Sequence, residues 1–304
     1  MKTHSLSFHI FLLLLTFIST TFQQNTFVIF FLEPSIVLRL FFLELPYSFS
    51  LLFILFCHEM GHYLPSRYYN IRATLPYFIP FPLGPIGTMG AVIRVQDPIP
   101  DKKKLFDIGA GGPLMSLILS LPAWIGGLYL SELKSVEGII DNPNTLIFGD
   151  SLFTYFSAKL IFGNFDPSQV DIILHPLAKA GWVGLLITAI NLLPFGQLDG
   201  GHVIYSLFGE KYRNWIHYLF TIFLFMNLLS LTWLIWSLLI YKLVKVEHPY
   251  VPDSYEPLDW KRKVLGYTLL FSFILTFVPE PLKAGGENVI PLYKDLLNML
   301  QYLF

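Results

Sequence analysis

Long apolar stretches separated by short polar loops are the main feature of the pattern along this chain. An α-helix needs about 20 apolar residues to cross a bilayer. Stretches close to that length predict spanning helices over residues 5–22, 46–64, 106–130, 174–193 and 264–278. The first is read as a transmembrane helix or an uncleaved signal anchor; the alternative is a cleavable signal peptide, although no A-x-A-like cleavage site follows it. The stretch 213–244 exceeds one span, so it is either one long tilted helix or a hairpin broken near Asn227 and Ser230.

Two other apolar segments are predicted to lie at the membrane surface. Residues 26–45 are interrupted by Glu33, Arg39 and Glu44, and repeated charges are costly in lipid. We therefore expect this segment to be interfacial or re-entrant, and residues 289–304 to form an interfacial tail. The resulting fold class is an all-α polytopic membrane protein with about 6 transmembrane helices, within a range of roughly 5–7.

The amino-acid composition supports the membrane-protein class and limits the kinds of binding partner to be expected. Of the 304 residues, 54% are hydrophobic and 13% are charged, which is about half of the charge that a soluble domain carries. The net charge of −1 gives no reason to expect nucleic acid as a partner. The single cysteine, Cys57, excludes an intramolecular disulfide and a multi-cysteine metal site.

The charge of the loops predicts the orientation in the membrane. Loop 67–105 is rich in lysine and arginine, whereas loop 131–174 is mainly acidic. Basic loops face the cytoplasm or the equivalent side of an organelle. Lys211 and Arg213 fall in the next inward loop, which agrees with this orientation.

The segment His58-Glu59-Met60-Gly61-His62 carries the candidate chemistry. Residues at positions i and i+4 of a helix lie on one face, so both imidazoles can bind one metal ion. Two histidines and one carboxylate leave an open position on Zn²⁺, as catalytic zinc sites require. Glu59 lies about 100° round the helix from His58 and could take a proton from a zinc-activated water. The alternative is a hydrogen-bonded polar patch between two helices.

The third ligand is expected to be a carboxylate from another helix, and Asp199 is the candidate. It lies in the segment 191–202, where Pro194 and Gly196 end a predicted helix. Irregular backbone at membrane depth is tolerated only where protein or a water-filled cavity satisfies its polar groups. The charges of Zn²⁺, one aspartate and one glutamate also cancel. The alternative is that Asp199 caps a helix over residues 203–208.

The two motifs together resemble the site-2 protease family of intramembrane metalloproteases, which has HExxH on one helix and NxxPxxxLDG on a later one. The resemblance covers roughly residues 47–210. Loop 131–174 is too short for the PDZ domain that some members insert. Further segments similar to the bacterial and plastid branch of the family are 74–80, 87–93, 106–116 and 175–182.

The resemblance implies the ligand set and the base. His58, His62 and Asp199 would bind one zinc ion per chain, and Glu59 would be the general base.

The resemblance also implies how substrate is bound. Asn191 would lie near the substrate strand, although an asparagine there could equally cap a helix. The stretch 84–93, which contains Gly90 and Val92, would be a small membrane-associated β-loop that presents an edge to an extended substrate. The alternative for this stretch is an ordinary surface turn.

The implied protein is an intramembrane zinc metalloprotease that hydrolyses peptide bonds of single-span transmembrane substrates. It would be a multi-pass protein, surrounded by lipid, of the bacterial inner membrane or an equivalent organelle membrane, with the active site toward the cytoplasmic side. Residues 1–45 would hold the first helix and the re-entrant or interfacial segment, 46–210 the catalytic membrane core, and 211–304 the C-terminal helices and tail.

Two alternatives come from other classes of protein. A membrane zinc carrier would need several ligand sets along a path, and the chain shows one compact set. A non-proteolytic zinc-binding regulator of membrane clients would be expected to have lost Glu59 or a ligand, and all of them are present.

Overall fold

The structure of the chain is a computed structural model, which describes residues 5–135, 146–164, 170–228, 231–252 and 256–284. The described residues are mostly helical. The chain divides into two compact units. One unit comprises residues 1–132 and 174–188, and the other comprises residues 133–173 and 189–304. The predicted interfacial tail 289–304 lies outside the described residues.

The first unit is built from long helices and one β-hairpin. Helix α1 (Leu6–Phe22) agrees with the predicted first helix, and two short 3-10 turns follow it. Helices α2 and α3 are the longest, and α5 begins in this unit. Their bounds, with those of the hairpin strands, are Pro34–Tyr68 for α2, Tyr77–Pro80 for β1, Thr88–Val92 for β2, Lys102–Tyr129 for α3 and Pro176–Asn191 for α5.

Helix α2 begins at Pro34, so the helix start predicted at residue 46 is wrong. A proline suits the first turn of a helix because the N–H it lacks has no partner there in any case. The charge of Glu44, which argued against a continuous apolar helix, is compensated within the unit. Gln23 Nε2 donates a hydrogen bond of 3.1 Å to Glu44, and Lys179 Nζ lies 4.0 Å from its carboxylate.

A small hairpin covers part of the β-loop predicted over residues 84–93, because β2 lies in that stretch and β1 precedes it. Strands β1 and β2 are antiparallel, with Tyr77 opposite Val92 and Phe78 opposite Ala91. The register shifts before the pair Pro80 and Thr88, where the turn begins.

Side chains of the neighbouring helices donate hydrogen bonds to carbonyl groups of this hairpin region. His9 Nδ1 donates to Pro76 O (3.0 Å) at its base, and Ser19 Oγ donates to Gly87 O (2.6 Å) near its tip. The Tyr47 hydroxyl of α2 donates to Ile86 O (2.8 Å). Polar residues of α1 are therefore buried against the hairpin, whereas many apolar residues of α1 are exposed. This arrangement suits a helix whose outer side meets lipid.

The second unit contains shorter helices and strands. Strand β3 (Glu132–Ser135) pairs with β5 (Val170–Ile173), and β4 (Leu146–Phe148) pairs with β6 (Leu282–Ala284). The remaining helices, in chain order, are α4 (Leu152–Phe162), α6 (Asp199–Phe208), α7 (Arg213–Leu224), α8 (Leu231–Leu239) and α9 (Trp260–Thr276).

The stretch 213–244 is not one continuous helix. Helix α7 ends at Leu224, a 3-10 segment covers Phe225–Leu228, and α8 begins at Leu231. A π-helical turn, Ile240–Val244, continues from α8. Helix α7 thus ends close to Asn227, one of the two positions where the sequence allowed a break, and Ser230 lies outside the described residues.

Two helices of the described residues, α2 and α3, are long and apolar enough to cross a membrane. Three shorter apolar helical segments are Leu6–Phe22, Leu152–Phe162 and Trp233–Val244.

Candidate metal centre

His58 and His62 lie one turn apart on α2 and point their rings toward each other. Their ring centroids are 4.8 Å apart, and the two Nε2 atoms are separated by 3.2 Å. Both residues are nearly inaccessible to solvent, with exposed fractions of 3% for His58 and 8% for His62. The helical spacing of the motif therefore brings two imidazole nitrogens to one buried point, as the sequence predicted.

The proton of the His62 ring is fixed by a backbone carbonyl of α3. Nδ1 of His62 lies 2.6 Å from Ile108 O. A carbonyl oxygen can only accept, so Nδ1 carries the proton and donates it. The Nε2 atom of the neutral ring therefore holds a lone pair, which is the form that binds metal.

The proton of the His58 ring is fixed by a chain of hydroxyl groups. Thr188 Oγ1 donates to Gly184 O (2.6 Å), so its lone pairs face Ser116 Oγ, which lies 2.7 Å away. Ser116 then donates to Thr188 and accepts from His58 Nδ1 at 3.2 Å. Only this direction of donation puts one proton in each hydrogen bond of the series from His58 through Ser116 and Thr188 to Gly184. Nε2 of His58 therefore also carries a lone pair.

The two Nε2 atoms lie 3.2 Å apart. Zinc–nitrogen bonds of about 2.0–2.1 Å at a tetrahedral angle place two ligand nitrogens about 3.3 Å apart. The observed separation matches this value, so the histidine pair fits a zinc ion.

Small residues of α3 allow the close approach that this geometry needs. A Cβ atom at Gly111 would overlap the backbone of Gly61, and a Cβ at Gly112 would overlap the imidazole of His62. Helices α2 and α3 therefore touch through backbone atoms beside the two candidate ligands. The glycines at the start of α3 serve this contact.

Glu59 follows His58 on α2 and is also buried, with 5% of its surface exposed. A carboxylate next to a candidate metal site is the type of group that can accept a proton from a water molecule, so the role of Glu59 as base stays a prediction.

Asp199 is the first residue of α6, and Leu198 is the N-cap residue. No cap hydrogen bond is made by the Leu198 side chain, and the predicted alternative of a helix that starts only at residue 203 does not hold. The loop before α6 is tightly folded, since a Cβ at Gly200 would overlap the carbonyl of Leu192. The possible ligand atoms of His58, His62 and Asp199 all lie within 4.8 Å of one another, so the group could hold one metal ion.

The other predicted site residues have different surroundings. Asn191 is the last residue of α5 and is half-buried. Gly90 and Val92 both lie on β2; Gly90 has a φ of +98°, and Val92 is 49% exposed. Their roles in substrate binding stay predictions.

Sequence reasoning missed the groups that fix the two imidazoles. Ser116, Thr188 and the carbonyl of Ile108 carry no metal-ligand signature, and they come from helices far along the chain. The small residues around Gly112 were visible in the sequence, but nothing linked them to His62.

Comparison with known proteins agrees with the site. The model of Peptidase family M50 matches residues 46–231, which is more than half of the chain. Similar proteins include two named "Probable zinc metalloprotease EGY1, chloroplastic". The protein from Oryza sativa subsp. japonica is 32% identical over 254 residues, covering 81% of this chain and 43% of the relative. The protein from Arabidopsis thaliana is 31% identical over 243 residues, covering 77% of this chain and 43% of the relative.

A third relative, "Probable zinc metalloprotease EGY2, chloroplastic" of Arabidopsis thaliana, is 28% identical over 247 residues, covering 81% of this chain and 44% of the relative. The chain thus spans less than half of the length of these relatives. The family model alone matches more than half of the chain, and the motifs predicted the same family. The chain belongs to peptidase family M50, the site-2 protease family.

Proposed function

We propose that this protein is an intramembrane zinc metalloprotease. The observation that carries the proposal is the approach of the Nε2 atoms of His58 and His62 to 3.2 Å in a buried site. Glu59 lies beside this pair on the same helix. This combination suits hydrolysis, because it supplies both a metal position and a base.

In the proposed reaction, His58, His62 and Asp199 hold one zinc ion per chain. A zinc ion held there would supply Lewis-acid chemistry, that is, polarisation of the attacking water and of the scissile carbonyl. Glu59 takes a proton from that water and then delivers it to the leaving nitrogen of the peptide. Burial of Glu59 excludes bulk water, so the proton stays within the site.

The proposed substrate is a single-span transmembrane protein. A helix keeps its carbonyl groups in hydrogen bonds, so the substrate must unwind locally before water can attack. The hairpin strand with Gly90 and Val92 would pair with the unwound segment, and Asn191 would donate its side-chain amide to a substrate carbonyl. Helix-breaking residues near the scissile bond are expected to favour cleavage, because they lower the cost of unwinding.

The proposed setting is an organelle or bacterial inner membrane, with about six spanning helices. The long apolar helices α2 and α3 support a membrane location, and the relatives named chloroplastic suggest the organelle. Basic loop 67–105 supports an active site near the cytoplasmic or equivalent side.

The test is a comparison of four variants in zinc content and in cleavage of co-reconstituted single-span candidates. His58→Ala and Asp199→Ala each remove one ligand, so both are expected to lose zinc and activity. Glu59→Gln removes only the base and is expected to keep zinc while losing cleavage. Thr268→Val loses only an exposed hydrogen bond within α9, and it should keep both zinc and cleavage.

Two outcomes would contradict the proposal. Full cleavage by Glu59→Gln would show that Glu59 is not the base. Zinc flux across vesicles without any cleavage would favour the zinc carrier instead.

A further inference from the structure

A segment that follows α8 lies against the loop that leads into α6. We call residues 244–251 the strap. The N–H of Gly196 donates a hydrogen bond of 3.0 Å to Val246 O of the strap. Gly196 has a φ of +50°, and a Cβ atom there would lie 2.9 Å from Cγ1 of Val244 and overlap the Lys245 carbonyl. The contact between strap and loop thus requires glycine at residue 196.

His248 is the central residue of the strap and is 3% exposed. Its ring stacks on the Tyr205 ring of α6, with centroids 4.5 Å apart and planes 21° apart. Its backbone N–H donates to the Tyr212 hydroxyl, and its carbonyl accepts from Arg213 Nη2 at 3.2 Å. Side chain and backbone of His248 are therefore both fixed against residues of α6 and of the segment after it.

The ring of His248 also determines where the proton of His202 lies. Nδ1 of His248 is 2.6 Å from Pro249 O and must donate to it. Its Nε2 therefore accepts, and the donor is Nδ1 of His202 at 2.7 Å. Burial, together with the nearby His202, lowers the pKa of His248 to about 3. His248 is thus neutral at ordinary pH, and the direction of the bond does not change.

This bond is made close to the proposed third zinc ligand. His202 lies three residues after Asp199, so the two side chains share one face of α6. Helix α6 has only 10 residues, and its contacts with the strap involve both His202 and Tyr205. Whatever holds these two side chains also holds the first turn of the helix.

We propose that the strap positions Asp199 for zinc binding and that His248 acts as a positioning residue by holding His202 through its Nδ1–H. The inference rests on the proposed function, because it takes Asp199 as a zinc ligand. Nothing in the sequence motif points to His248, which lies far outside residues 191–202.

The test uses the different reach of asparagine and glutamine. His202→Asn keeps an amide donor near the position of Nδ1, whereas His202→Gln moves the amide to the position of Nε2 and loses the bond to His248. We expect zinc affinity within about threefold of wild type for His202→Asn and about tenfold weaker for His202→Gln, the size of effect seen for groups outside the ligand set. The reverse order would overturn the proposal and assign the role to Nε2 of His202.

A second pair tests His248 itself. His248→Gln retains an acceptor for His202, whereas His248→Leu keeps bulk but no acceptor, so zinc affinity should be about tenfold weaker in the leucine variant. Thr268→Val, which loses only a hydrogen bond within α9, is the control and should bind zinc as the wild type does. Affinity is measured by chelator competition on the purified full chain in detergent. If His248→Leu fails to fold, the two His202 variants decide the result.

Equal zinc affinity in all four variants would refute the role of the strap. Zinc affinity is measured without substrate, so the two proposals fail separately. A chain that shows the expected order but cleaves nothing would refute the protease and keep the strap. A protein that cleaves substrate but whose variants do not show the expected order of zinc affinities would keep the protease proposal and refute the role of the strap.

Discussion

Gly112→Ala should remove zinc binding without touching a ligand. Gly112 lies on α3 opposite His62 of α2. A Cβ atom there would lie 2.7 Å from Cδ2 of His62, and closer still to Nε2 and Cε1. Carbon atoms in contact are normally about 3.5–4.0 Å apart, so the ring or the helix must shift by about 1 Å.

Such a shift is large compared with what a zinc site tolerates, since ligand distances must stay within about 0.2 Å. Rotation of the ring would break the Nδ1 bond to Ile108 O. Movement of α3 would open the backbone contact between Gly61 and Gly111. We therefore expect at least about a hundredfold loss of zinc affinity, which corresponds to about 2.8 kcal/mol.

The matched control is Gly126→Ala on the same helix, where a new Cβ would meet no atom within 4 Å. Alanine favours a helix over glycine by about 1 kcal/mol at both positions, so that effect cancels. Zinc affinity is measured by chelator competition, and folding by the melting of the metal-free protein. Wild-type zinc affinity in Gly112→Ala would refute the geometry argued for His62.

Three further predictions follow from the same contacts. Ser116→Ala removes the acceptor for His58 Nδ1 and should weaken zinc binding about 10–100-fold. The control is Ser120→Ala on the same helix, which has no hydrogen-bond partner among the described residues and should leave zinc affinity unchanged. Equal zinc affinities of the two variants would contradict the role of Ser116. Ser19→Ala removes a hydrogen bond to the hairpin and should slow cleavage at unchanged zinc content. Its control, Thr21→Val, loses only a hydrogen bond within α1 and should cleave normally. Loss of zinc in Ser19→Ala would point to misfolding instead. A single cysteine placed in residues 131–174, in a background without the native cysteine, should react with an impermeant thiol reagent only from the non-cytoplasmic side, and labelling from the cytoplasmic side would reverse the predicted orientation.

The sequence alone predicted the candidate metal centre. The spacing of His58 and His62 equals one helical turn, so any helix through these residues must bring both imidazoles to one face. Asp199 was found because the charge of a zinc ion calls for a carboxylate, and the chain offers one in a broken apolar segment. The family followed from the same residues, and the match over residues 46–231 confirms it.

The start of α2 was decided by the tertiary structure. Local charges made residues 26–45 a poor apolar helix, but Gln23 and Lys179 compensate Glu44 from other parts of the chain. A pattern within one segment cannot show a partner that is brought near only by folding.

The same reason limits what could be predicted around the metal. Which nitrogen of each imidazole carries a proton depends on Ile108 and Ser116, which lie on another helix. The pairing of His202 with His248 depends on a strap 46 residues away. Helical periodicity places neighbours along one helix, and so it predicted the pairing of His58 with His62. Hydrogen bonds between helices depend on packing, and only the folded chain revealed the groups that orient the two imidazoles.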